Sequence, residues 1–460
     1  MSSAATAQRH DPQPISAATN SHPLGRRDVI IAALLALAVL LISLVAIVRA
    51  PEYSRYDEYT HADYAFKISH GQIPAAGDQA SPEILEDWSC RGDAKFGVPP
   101  CGSPEAEDPN NFMYSAYQYN FFHPPVYYAV AGVTANAISS VVDINFVTAA
   151  RFVSAGIVAL GIAASYLAIR TWRVRVAPAT TAALALIATP MVMHSGATVN
   201  PDAVATLTGA ASVFILGRVV NGGKVPIIFA GVSMLLAAGS KVIISLPLVI
   251  VAAYVGINGL IKFVKSDRPR GTKQMLLAVV SAVALICVYV GWNLVHSGRG
   301  DPNWITPMQG LSTAPFTGLP IGELLVSTPL AFFGIGQGYW IHPQLNGWGA
   351  QFSAKVLGIL MVVIPFLALV VFRRRSSASI ANLVLLAGLI ITPFFVQLEA
   401  LTDQGMYFPS MTTRYGIAYL PLAYLVVALV VQERGWDKPA LFSAGGLALL
   451  YSASITGLLR

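Results

Sequence analysis

The chain has 460 residues, of which 55% are hydrophobic and 11% charged, with a mean hydropathy of +0.60. Those proportions exclude a disordered protein, which could not be this apolar, and a secreted disulfide scaffold, because three cysteines cannot brace this length; they describe an all-α polytopic membrane protein. A net charge of +6 does not imply nucleic acid, since Lys and Arg collect in the cytoplasmic loops of a multispanning chain and so report its orientation.

Residues 1–27 are polar and end in Arg26-Arg27, which reads as a disordered cytoplasmic lead, with one membrane domain over 28–460. Residues 29–48 are uncharged and apolar. The run exceeds the roughly 7–15 residues of a signal-peptide core and continues into Arg49-Ala50-Pro51, so it reads as a retained anchor rather than a cleaved signal or a twin-arginine leader. Further apolar runs near 152–169, 177–197, 203–217, 225–240, 242–261, 274–295, 356–372, 380–398, 415–432 and 439–459 bring the expected transmembrane helices to about eleven.

The segment 126–142 is the ambiguous one, short and interrupted by Asn136, Ser139 and Ser140. If it does not span, Arg170, Arg173, Arg175, Arg218, Lys224, Lys262, Lys265, Arg268, Arg270, Lys273, Arg373, Arg374, Arg375, Arg434 and Lys438 all fall on the cytoplasmic side with Arg26 and Arg27. If it spans, those fifteen face outward, against the positive-inside tendency. The expectation is therefore a re-entrant or surface segment at 126–142, a cytoplasmic N-terminus and an external C-terminus. The external loops are then 51–147, 297–353 and about 400–413, with short turns at 195–202 and 239–241. The first loop is acidic: between Pro51 and Pro125 lie twelve of the 23 carboxylates and only four Lys and Arg.

Within that loop, Cys90 and Cys101 enclose a stretch rich in Gly, Pro and Asp where oxidising conditions allow a bridge, and a disulfide is expected. Cys287 is expected to be a small buried filler in a span. Directly after the first span comes Tyr56-Asp57-Glu58-Tyr59-Thr60-His61-Ala62-Asp63-Tyr64. If helical, it sets Asp57 and His61 on one face with Glu58 beside them, just outside the bilayer. A second motif, Tyr117-Gln118-Tyr119-Asn120-Phe121-Phe122-His123-Pro124-Pro125-Val126-Tyr127-Tyr128, opens the non-spanning segment; the prolines fix how the chain enters its helix, and the tyrosines suit a membrane interface.

Together these residues resemble the GT-C superfamily of integral-membrane glycosyltransferases, nearest to protein O-mannosyltransferases, lipid A aminoarabinose transferases and uncharacterised bacterial membrane proteins of the same layout. The resemblance rests on the Asp-Glu pair and following histidine, the long outer loop and the His-Pro-Pro-x-Tyr-Tyr motif. It continues more weakly through Asn200-Pro201-Asp202 and Thr413-Arg414-Tyr415. The chain departs from the family in showing no soluble C-terminal domain, which argues against a large or peptide acceptor.

The resemblance implies a bacterial plasma-membrane enzyme that moves a sugar from a polyprenyl phosphate donor to a lipid or cell-wall glycan acceptor on the outer face. It places the catalytic carboxylate at Asp57, with Glu58 and His61 as its neighbours. A base is needed because the attacking hydroxyl loses a proton, and cations are needed because charge develops on the leaving phosphate. Independently of the family, Lys241, Arg414 and Arg151 sit at outer ends of spans, where a charge is costly unless it meets water, a partner or an anionic headgroup. His123, Tyr127, His194 and Asp202 complete the residues expected to meet substrate. The aromatic loop from Gly336 to Trp348 is a further expected cover for a sugar. A divalent metal is compatible with Asp57, Glu58 and His61 and is not required by them, and no histidine pair has zinc spacing. The alternatives are a lipid-linked saccharide transporter or flippase, which calls for polar residues at the bilayer midplane, and a non-catalytic scaffold, which would tolerate loss of Asp57.

Overall fold

The computed structural model describes residues 24–265, 267–301, 303–307, 313–318, 321–322, 342, 345–409, 411 and 413–459. Helix α1 (Arg26–Arg49) buries Ala32, Leu35, Val39, Ser43, Ala46 and Ile47 at helical spacing, while Leu34, Leu37, Leu41 and Val48 point outward. One stripe meets protein and the rest is left for lipid. Arg26 and Arg27 belong to this helix rather than to the expected lead.

The first loop folds on itself before the second span. It contains α2 (Glu58–Ser69), α3 (Pro82–Arg91), three 3-10 turns between Pro104 and Ala116, and α4 (Val126–Val141). Trp88 of α3 stacks on Tyr59 of α2 with ring centroids 4.2 Å apart. The disulfide between Cys90 and Cys101 closes the loop behind α3. Asp63 of α2 accepts from both the backbone N–H and the hydroxyl of Ser81 (2.8 and 2.7 Å) and from Gln118 (2.9 Å), and it pairs with Lys67 at 2.9 Å. This buried carboxylate thereby ties three stretches of the loop together. Helix α4 has 16 residues, fewer than the roughly 20 that a crossing needs. It lies against α2, where a Cβ at Gly132 would fall 2.0 Å from the Ala65 carbonyl oxygen.

The remaining helices are α5 (Phe146–Arg170), α6 (Val176–Ile187), α7 (Pro190–Ala197), α8 (Ala205–Val220), α9 (Ile227–Ser240), α10 (Leu246–Val264), α11 (Arg268–His296), α12 (Trp348–Val371), α13 (Ser377–Gln404), α14 (Leu420–Arg434) and α15 (Asp437–Thr456). A two-residue antiparallel pairing joins β1 (Ala314–Pro315) to β2 (Met406–Tyr407). Among the described residues nine helices are long and apolar enough to cross a membrane, or ten if α6 and α7, bent by 60°, count as one span. The expected run 177–197 is thus broken. Pro190 starts a new helix, and Thr189 turns its hydroxyl to the Ala185 carbonyl at 2.8 Å. The expected run 225–240 is the 14-residue helix α9.

Of the apolar window around α14, 89% lies inside the protein against 17% for α11, so α14 is central and α11 peripheral. For that reason Cys287, on α11, is exposed rather than a buried filler. At one end of the bundle Arg170 pairs with Asp28 (2.7 Å), Arg175 with Asp437 (2.9 Å), and Ser377 meets Asn221. At the other end Arg49 donates to the Ile455 carbonyl, so the start of α1 and the end of α15 lie at opposite ends.

Candidate functional site

Asp57 is the N-cap of α2, with φ 59° and ψ 11°. Asp tolerates this left-handed conformation better than most residues. The residue stands outside the helix, and its side chain leaves the face that carries His61. One carboxylate oxygen accepts from Arg414 Nη2 at 2.6 Å and the other from the Tyr119 hydroxyl at 2.9 Å. The Asp57 and Arg414 side chains are only 16% and 15% exposed. Burial alone would raise the Asp57 carboxyl; the Arg414 guanidinium, helped by Tyr119, outweighs it and holds the group below its ordinary 3.8. Among the described residues, Nε and Nη1 of Arg414 are buried without a hydrogen-bond partner, and the guanidinium lies 5.8 Å from the Tyr56 ring centroid.

Lys241 follows the last turn of α9 and donates to Asp202 at 2.7 Å, both side chains being nearly buried. Its ammonium stands 5.7 Å from the ring of Tyr415, the neighbour of Arg414. Asp202 is held by the turn that Asn200 caps, the Asn200 side chain accepting from the Asp202 N–H at 2.9 Å. Gly209 of α8 brings that region against the turn bearing Arg414, since a Cβ there would lie 2.4 Å from the Ala418 carbonyl oxygen. Two ion pairs, Asp57 with Arg414 and Asp202 with Lys241, thus stand close enough for Lys241 to help lower the Asp57 carboxyl.

Glu58 and Arg151 belong to each other. Arg151 Nε and Nη2 grip the two Glu58 oxygens at 2.8 and 2.9 Å, and its other donors go to the carbonyls of Ala50, Pro51 and Glu52. The backbone N–H groups of Ser54 and Val199 fill the remaining Glu58 positions at 2.7 and 2.9 Å. Burial would raise the Glu58 carboxyl, and Arg151 outweighs it and lowers it. All five guanidinium N–H groups are used, which leaves Arg151 none for a phosphate, and Glu58 has no free lone pair for a proton. The pair is a knot among the end of α1, the start of α2, α5 and the turn after α7.

His61 does not join Asp57 as a side-chain dyad; its Nδ1 meets the Tyr128 hydroxyl at 2.8 Å and its ring stacks near His123 at 6.1 Å. Burial first, then Lys241 and Arg414, pushes His61 well below 6.5 and keeps the ring neutral. His123 is lowered in the same way by burial, with Lys241 next. The Tyr127 hydroxyl bonds Ser154 Oγ at 2.7 Å and accepts the Asn200 N–H at 2.8 Å, so it supports the turn that holds Asp202. His194 lies 3.4 Å from Ser54 Oγ with its ring edge-on to Tyr56. Of the aromatic loop Gly336 to Trp348, only His342 and 345–348 are among the described residues; His342 is buried and pushed down to about 3, chiefly by that burial.

The structure adds Tyr119 and Tyr56 to the surroundings of Asp57. Tyr119 sits 62 positions away in sequence, beyond any local spacing rule. No cluster of three His, Cys, Asp or Glu side chains able to hold a metal ion occurs among the described residues. Asp57, Glu58 and Asp202 are each engaged by a cation.

No family model and no curated protein matches the chain. Solved structures do resemble it. ArnT from Cupriavidus metallidurans bound to undecaprenyl phosphate matches with a TM-score of 0.50 and 13% identity, over 92% of this chain and 76% of that one. The apo form of ArnT from the same organism matches with a TM-score of 0.45 and 16% identity, over 88% of this chain and 61% of that one. At such identity the likeness is one of fold alone: the chain shares the all-α, polytopic membrane architecture of ArnT.

Proposed function

We propose that the chain is a GT-C glycosyltransferase that moves a sugar from a polyprenyl phosphate donor to a lipid or glycan acceptor of the cell envelope, on the outer face of the membrane. The observation that carries the reading is Arg414, a nearly buried guanidinium that holds Asp57 with one nitrogen while two others lack partners among the described residues. Buried donors without partners are costly, and an anionic oxygen is the group that relieves the cost. Lys241 supplies a second cation nearby. The bound undecaprenyl phosphate named for ArnT supports the same class of carrier here.

In this reading Arg414 and Lys241 bind the donor phosphate. Asp57 takes the proton of the acceptor hydroxyl as that oxygen attacks the anomeric carbon. The bond from that carbon to the phosphate oxygen breaks, and its electron pair leaves with the polyprenyl phosphate, whose growing charge the two cations stabilise. A phosphate on Arg414 also competes with Asp57 for the guanidinium, which raises the carboxylate's basicity when donor is bound. His61, buried, and His123, half-buried, line the approach as neutral rings without supplying charge. Glu58 and Arg151 hold the loop in place.

The test compares Asp57→Asn, Lys241→Ala and Arg414→Ala with a synthetic polyprenyl phosphate sugar. Asp57→Asn should lower turnover about 100-fold or more with donor affinity kept, since general-base assistance is typically worth that much. Either cation variant should weaken donor binding as well as turnover, because the phosphate is charged in ground and transition state alike. Full activity in all three variants would sink the proposal in favour of a scaffold.

A further inference from the structure

A cavity of about 560 Å³ is lined in part by Tyr119, the residue whose hydroxyl holds Asp57. Its walls include Tyr119, Phe121 and Phe122 of the first outer loop, His296 at the end of α11, and Asp301 and Trp304 just beyond. The two loops are fastened where they meet. The Asp301 N–H donates to the Ala76 carbonyl at 3.0 Å, and Gly300, at φ +77°, passes so close that a Cβ would fall 2.4 Å from the same oxygen. Trp292 Nε1 donates to the Phe122 carbonyl at 2.9 Å, and Arg299 turns its guanidinium to the Ile73 carbonyl. The cleft is thus a built feature of both loops.

Its chemistry differs from that of the cationic wall. Phe121 lies 5.6 Å from both Trp304 and His296, centroid to centroid. Neither ring nitrogen of His296 makes a hydrogen bond among the described residues, the Phe121 backbone lying near without the geometry of one. Asp301 accepts the Asn303 N–H on one oxygen, and its other oxygen has no hydrogen-bond partner among the described residues. Tyr119 is the wall shared with Asp57, and its hydroxyl holds the carboxylate oxygen that Arg414 does not.

We infer that this cleft is the acceptor subsite and that it binds a pyranose ring. A sugar presents an apolar C–H face, which suits the negative face of an aromatic ring, and a rim of hydroxyls, which suits an unpaired imidazole and a carboxylate. An aliphatic chain would leave those polar groups unmatched. The volume falls within the range of about 300–1,000 Å³ common for small-molecule sites. The inference rests on the donor reading of Lys241 and Arg414: the acceptor hydroxyl must reach Asp57, and Tyr119, which lines this cleft, is hydrogen-bonded to that carboxylate.

The experiment uses the full chain in lipid nanodiscs and saturation-transfer NMR with mannotriose, cellotriose and chitotriose. At least one trisaccharide should bind, about 10-fold more weakly to Trp304→Ala and Phe121→Ala, with affinity recovered in Trp304→Phe and unchanged in Lys241→Ala. Undecaprenyl phosphate, titrated in the same discs, should bind the Trp304 variant as it binds the parent and bind Lys241→Ala less well. If none of the trisaccharides binds, or Trp304→Ala binds them equally, the acceptor assignment fails while the donor reading stands. If undecaprenyl phosphate does not bind the parent, the donor reading fails and takes the acceptor assignment with it. A Trp304→Ala effect on undecaprenyl phosphate as large as that on the trisaccharide would also overturn the inference, because the cleft would then serve the donor.

Discussion

Asp57 and Arg414 are 357 positions apart in sequence and 2.6 Å apart in space, so the protonation of one depends on the other. Burial raises the carboxyl and the guanidinium lowers it further, to a net position below 3.8. A depressed carboxyl contributes stability that is present above its unfolded value and lost only as pH falls through the lower folded value. The pair therefore stays intact over the whole range near neutrality. The expected kcat/KM profile has no acid limb from Asp57 between about pH 5 and 8. An acid limb in that range that disappears in Asp57→Asn would show that the carboxyl titrates far above the position its neighbours dictate. Asp57 was legible in sequence because an acid placed directly after an apolar run is conspicuous. Its partner Tyr119 lay inside a motif that reads equally well as an interfacial aromatic belt, and nothing in that spacing points to a carboxylate.

At the scale of elements, apolar runs were legible and their interruptions were not. Composition alone reads 177–197 as one span, yet Pro190 and the Thr189 hydroxyl bend it by 60°, and that bend leads into the turn carrying Asp202. Asp57 was expected on the His61 face, and a single left-handed residue moves it off the helix. At the outer end of a span the Arg151 charge calls for either an anionic headgroup or a loop carboxylate, and it meets the carboxylate, linking α1, α2 and α5 through Glu58 and three carbonyls. Breaking a buried pair leaves a charge uncompensated and costs about 3–5 kcal/mol, whereas an exposed pair is worth about 0–1 kcal/mol. Glu58→Gln should therefore lower the thermal midpoint of the purified protein sharply. Asp437→Asn, which removes the half-buried partner of the exposed Arg175 side chain, should barely move it. Equal midpoints for the two variants would remove the knot from the account of how the loop is held.

For the whole molecule the open quantity is direction. Asp57, Lys241 and Arg414 share one end of the bundle, and the Asp28–Arg170 and Arg175–Asp437 pairs mark the other. The second end gathers Arg26, Arg27, Arg170, Arg173 and Arg175 at the ends of α1, α5 and α6, whereas the first carries the acidic loop. Positive charge stays in the cytoplasm, so the site end is expected to face outward, where an acceptor of the envelope can reach it. The measurement is labelling of single cysteines with a membrane-impermeant thiol reagent on intact cells. Cys287 is first replaced by Ser, because it is exposed on α11, and the disulfide of Cys90 and Cys101 is left intact. Cysteines placed at Gly71 and Glu105, both exposed in the acidic loop, should label from outside, and one at Arg173 should label only after the cells are opened. The reverse pattern would turn Asp57 toward the cytoplasm. An outward-facing transfer reaction would then be excluded even if all three site residues proved necessary for activity.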